Sequence, residues 1–288
     1  MNWKILLALP LLAMFTGCAS PEDKVESTET ETDSLLIEEI MPLLPSPGEF
    51  LDMVHNTGMV YQEDLINPIV DPNNFVLYRN QALTFGVYLT DFSYLLLFEK
   101  QTESIRYLYH IQEMAKKLEV EAYFDDEFFN KILANLSNPD SLQAISLQQS
   151  TLFFNRMNAI GNKDLAFLIS TGSIIEGMYI ASKAIDEKQL GEEVFNRTID
   201  LSYLFDTYYL HFTISKPNEP AFEKLANDIQ ELRKIFTSMS IAQTSRAIRN
   251  EGDIILKSEV THDINKHNIS KMKVMVDSIR QSIVNQKY

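Results

Sequence analysis

The chain has 288 residues and one cysteine, at position 18, so no disulfide can close within it and no Cys-x-x-Cys pair exists. Basic residues are in deficit, with 25 Lys and Arg against 40 Asp and Glu and a formal net charge of −15. Proteins that read nucleic acid normally carry a basic face, so that partner class is not expected. The acidic balance also argues against laying the whole surface on anionic lipid. The signatures of common enzymes are missing: no G-x-S-x-G, no Walker loop, no G-x-G-x-x-G and no H-E-x-x-H. The histidines at 55, 110, 211, 262 and 267 are scattered, and only Glu259-x-x-His262 has a di-iron-type spacing. A di-iron bundle needs two such pairs and two further glutamates. No catalytic residue, metal ligand or cofactor-binding residue is assigned from these patterns, and no cofactor is expected.

What is present begins with the first 17 residues. Lys4 precedes the eleven-residue apolar run "ILLALPLLAMF", and the small residues Thr16 and Gly17 follow. A charged start, a short greasy run and a small-residue exit describe a secretory signal peptide. The run is too short to span a bilayer as a helix, which needs about 20 apolar residues. Residues 1–17 are therefore read as a signal peptide, and Trp3, the one tryptophan, would leave with it.

The cysteine stands at the end of that segment, in "FTGC". This resembles the lipobox of bacterial lipoproteins, with Gly17 at the small position and Phe15 where Leu is usual. The resemblance implies that Cys18 carries a diacylglycerol thioether and becomes an acylated N-terminus. Each buried CH₂ contributes about 0.8 kcal/mol, so more than one long chain makes a stable anchor. The implied address is the cell envelope, lipid-anchored at the outer membrane, on its periplasmic face or at the cell surface. The next residues, "ASPEDKVESTETETDS", are nearly free of apolar side chains. Such a segment cannot offset its ordering entropy by burial, so 18–42 is read as a disordered acidic tether.

The domain proper is assigned to 43–288. "SPGEF" sets Ser46 as N-cap, Pro47 first and Glu49 three after the cap, and "NPDSL" repeats this with Asn138 and Pro139. No proline occurs between Pro72 and Pro139, or between Pro139 and Pro217. Those gaps hold apolar-periodic segments at about 75–99, 102–118, 126–136, 139–159, 163–184 and 187–214. Two narrow stripes follow: Phe222, Leu225, Ile229, Leu232, Phe236 and Met239, then Ile269, Met272, Val276, Ile279 and Ile283. Strand-like alternation is nearly absent, with "GDIILKSEV" at 252–260 the ambiguous patch. The expected fold is an all-α bundle of about eight helices.

Two helices read as central. "LAFLISTGSIIEGMYIASKA" is apolar around most of its circumference, with Ser170, Ser173, Gly177, Ala181 and Ala184 along one side for a close helix crossing. Glu176 and Lys183 make a membrane span an unfavourable reading of it. The second is "QALTFGVYLTDFSYLLLF". Each carries an acid followed three residues later by tyrosine, Asp91 with Tyr94 and Glu176 with Tyr179, which hints at a duplicated helix hairpin. A buried carboxylate needs a partner or a shifted pKa. Either these four residues line a pocket for a cationic or hydrogen-bonding ligand, or each acid is satisfied by tyrosine hydroxyls or an arginine and fixes helix register.

"LPSPGEF", "LINP", "NQALTFGVYLTDFSY", "NPDSL", "STGSIIEGMYIA" and "MVDSIRQSIV" resemble an uncharacterised family of exported all-helical lipoproteins of Gram-negative bacteria. The similarity covers about 43–285, with Thr171-Gly172-Ser173 where that family's Gly-Gly-Trp element is expected. It implies a helical domain and an exported address, and carries no catalytic residues. The expected function is a non-enzymatic binding or scaffolding module held to the bilayer through Cys18, with an envelope protein or small ligand as partner. The alternative is an envelope enzyme or small-ligand sensor built from dispersed acids and tyrosines.

Overall fold

The computed structural model describes residues 45–288 apart from 46, 137, 187, 218, 251 and 252. The signal, Cys18, the tether and the Ser46 cap lie outside the described residues. The helices are α1 (Pro47–His55), α2 (Tyr78–Leu97), α3 (Gln101–Lys117), α4 (Asp126–Ala134), α5 (Pro139–Ala159), α6 (Lys163–Lys183), α7 (Glu192–Ser215), α8 (Glu223–Met239) and α9 (Lys266–Val284). Their bounds follow the apolar periodicity. Asn138 caps α5 as its position predicts, its Oδ1 accepting the Ser141 N–H at 3.1 Å. Pro220 opens a 3₁₀ turn, Pro220–Phe222, that runs into α8.

Helix α6 is the axis of the bundle. Every residue from Leu165 to Ser182 is buried, so this helix, apolar and long enough to cross a membrane, is enclosed by its own neighbours. It crosses α2 at backbone contact. A Cβ on Gly172 would lie 1.9 Å from the Leu83 carbonyl oxygen, and one on Gly86 would lie 2.0 Å from that of Ile169. Hydroxyls close the seam: Ser173 Oγ donates to Gly86 O at 2.9 Å and Thr90 Oγ1 to Ser173 O at 3.1 Å. Gly177 serves a different neighbour, since Phe50 of α1 packs where its side chain would stand. The small-residue stripe therefore seats two partners, with Gly172 added at the tightest point.

Helices α8 and α9 pack through the two narrow stripes. Leu225, Ile229, Leu232, Phe236 and Met239 are buried on α8, and Ile269, Met272, Val276, Ile279 and Ile283 on α9. Full burial of one such side chain contributes about 1.5–3 kcal/mol. Between them runs an antiparallel hairpin, β1 (Ser240–Asn250) and β2 (Asp253–His262). The ambiguous patch is thus strand from Asp253 onward, and residue 252 lies outside the described residues. β1 is a departure from the sequence expectation: "SIAQTSRAIRN" lacks alternation, and its extended form comes from pairing with β2. The fold remains an all-α bundle with this one hairpin among the described residues.

Candidate functional site

Between α1 and α2 the chain crosses the bundle as a strap, residues 62–70, with only a 3₁₀ turn at Glu63–Leu65. Irregular backbone carries N–H and C=O groups that no helix or sheet ladder satisfies, and leaving one buried and unpaired is costly. Side chains from three helices supply the partners. On α2, Tyr94 Oη accepts the Gln62 N–H at 3.0 Å, and Asp91 Oδ2 accepts both the main-chain N–H and the Nδ2 of Asn67 at 3.0 Å. Tyr88 Oη, one turn before Asp91, donates to Pro68 O at 2.8 Å and accepts the Val70 N–H at 3.0 Å. Tyr107 of α3 donates to the Asn67 carbonyl. Arg280 of α9 donates from Nη2 to Leu65 O at 2.8 Å.

Glu176, on α6, faces the same cluster from below. Both its oxygens accept from Arg280 Nε, at 3.1 and 2.8 Å. The guanidinium lies 3.9 Å from the Tyr179 ring centroid, a cation–π contact that steadies Arg280 from a second side. Asp91 and Glu176 are each 0% exposed, and Arg280 is 5% exposed.

The charges do not balance one for one. Burial raises the Asp91 carboxyl well above its ordinary range, and the Glu176 charge raises it further, against the Asn67 bonds and Arg280. Burial also raises Glu176, opposed by the charge and hydrogen bonds of Arg280. The Glu176 partnership in turn holds Arg280 protonated despite its burial. One buried cation neutralises one acid. Glu176 has Arg280, whereas the Asp91 carboxyl is the one pushed well up, and its Oδ1 receives no donor among the described residues. Burial also pushes the Tyr88 hydroxyl up to about 12, so it stays a neutral donor to the strap.

The two acids and Tyr179 therefore meet in one cluster. Tyr94 sits apart from the acids at the strap's start, its ring 5.7 Å from Tyr61 and 4.8 Å from Phe98. Asn67, Tyr107 and Arg280 are members that sequence reasoning did not name, whereas Tyr88 is the neighbour that helical spacing sets one turn before Asp91. Arg280 had a readable signal, because it lies four residues after Val276 and three before Ile283, on the buried side of the α9 stripe. Among the described residues no three His, Cys, Asp or Glu side chains gather as metal ligands. In this arrangement the cluster's hydrogen bonds go to the protein's own strap and to the Glu176–Arg280 pair.

No family model matches the chain, and no curated protein and no solved structure matches it either. The resemblance to exported helical lipoproteins rests on the motifs quoted above.

Proposed function

We propose that this chain is a bacterial envelope lipoprotein, anchored through acylated Cys18, whose helical domain acts as a non-enzymatic binding or scaffolding module. The observation that carries the reading is the lone cysteine at the end of a leader-like apolar run, followed at once by an acidic, apolar-poor stretch. The inward-facing polar cluster supports the non-enzymatic part. Its acids hold Asn67 and Arg280 and have no exposed surface at which to meet a substrate.

The test of the anchor is incorporation of radiolabelled palmitate. The wild-type chain should label and shift in mobility on cleavage of the leader, whereas Cys18→Ser should do neither. Equal labelling of the two would sink the lipoprotein reading. A ligand site at Asp91 and Glu176 is the second reading, favoured by two fully buried acids brought into one cluster. It requires the strap to withdraw, because Asn67 occupies Asp91. Asp91→Asn and Glu176→Gln that abolish cell function while the melting temperature holds would support that reading over the module.

A further inference from the structure

The strap ends at Pro68–Val70, and two hydrogen bonds to Tyr88 hold that exit: the Tyr88 hydroxyl donates to Pro68 O and accepts the Val70 N–H. Against the Tyr88 ring stands His110 of α3, its ring centroid 4.8 Å away and its plane nearly perpendicular, at 89°. His110 is only 8% exposed, and its Nε2 is buried with no hydrogen-bond partner among the described residues. A neutral imidazole fits such a place at the cost of one unpaired polar atom. An imidazolium does not, because both nitrogens then donate and a charge is held out of water.

Two acids act on His110. Asp71, the residue after the strap, and Glu113, on α3 itself, favour its protonated form, and burial opposes them more strongly. Asp71 is exposed, and its Oδ1 already accepts the main-chain N–H and the Nδ2 of Asn73, which caps the 3₁₀ turn Pro72–Asn74. Glu113 is paired with Lys116 at 2.8 Å. From α2 the facing group is the neutral Tyr88. We propose that His110 is an acid-sensitive latch: on protonation its ring leaves Tyr88 for solvent on the side of Asp71, and Pro68–Val70 come free of α2. The strap's entry stays closed, because Tyr94, which holds Gln62 there, packs against Tyr61 and Phe98 and not against a histidine. The ligand-site reading requires the strap to withdraw, and the latch gives that withdrawal a trigger. It is independent of the lipoprotein reading.

The sign follows from burial. His110 takes its proton more readily once the exit is open, so closure is favoured above the ordinary histidine value of about 6.5 and weakens as pH falls through it. Asp91 contributes to global stability in the opposite sense, so the readout is local. The test is residue-resolved amide exchange by NMR on the full chain in detergent at pH 7 and pH 5, corrected for intrinsic rates. At pH 7 the latch is closed. At pH 5 the protection of Val70, relative to that of Gln62 and of α2, should fall about tenfold, as an open state that gains one proton implies. Burial pushes His211 of α7 down to about 4, so it stays neutral at both pH values. His110→Phe keeps an aromatic ring against Tyr88 and removes the titration, so its ratio should stay level. A fall at Val70 that persists in His110→Phe overturns the proposal, and so does an unchanged ratio in the wild type. A second check needs no variant: the His110 ring signals should titrate with the midpoint of the fall at Val70. A ring that titrates while Val70 keeps its protection contradicts the latch.

Discussion

The strap and the hairpin satisfy their main chains in opposite ways. Residues 62–70 have almost no secondary structure, yet their N–H and C=O groups are held by Tyr88, Asp91, Tyr94, Tyr107 and Arg280 from three helices. Residues 240–262 are regular, and their ladder bonds run only between the two strands. Regularity and attachment are therefore separate properties. An irregular segment can be fixed firmly when buried side chains serve its backbone, and a regular one can stand with open edges. On this view the strap is part of the core.

The contrast breaks most severely at Arg280. Arg280→Met leaves Glu176 buried without its cation and Leu65 O without its donor. Removing one partner of a buried pair costs about 3–5 kcal/mol. Denaturant melts should show that loss at pH 7 and a smaller one near pH 5, because protonating the stranded Glu176 relieves it. Next in size is Tyr107→Phe, which strips the donor from the Asn67 carbonyl and should cost about 1–3 kcal/mol. A melt indistinguishable from wild type would mean that the strap does not depend on α3.

Asp91→Asn should cost less, since Asn can still accept from Asn67. Its effect is on pH dependence. The folded-state pKa of Asp91 is raised, so the folded chain binds more protons than the unfolded one above pH of about 4. That contribution to stability is complete below the ordinary Asp range and is lost as pH rises through the raised value. Stability of the wild type should fall with pH across this window, and Asp91→Asn should flatten the fall. An unchanged slope would mean that Asp91 does not carry this pH dependence.

These predictions draw on parts of the molecule that the sequence shows unequally. Helix positions were legible because each apolar stripe repeats at three and four, as in Leu225, Ile229, Leu232 and Phe236. Asp91 and Glu176 were legible because an acid on an otherwise apolar helix stands out. Their partners were not. Arg280 lies 104 residues from Glu176, and periodicity says which face a residue takes but not which helix that face meets. Asn67 was hidden more deeply, since the strap has no period and its place is set by the hydroxyls that hold it. β1 was missed because its own residues do not alternate, and its partner strand supplies the reason for its form.

The measurement that bears most directly on the strap as core is amide hydrogen exchange on the full chain. The Asn67 and Val70 amides donate to Asp91 and Tyr88. They should exchange only with global unfolding, at rates close to those of α2, and Tyr88→Phe should release Val70 selectively. The outward amides of β1, such as those of Ser245 and Ala247, should exchange orders of magnitude faster, as open-edge groups do. Strap amides that exchange as quickly as those of β1 would contradict the account.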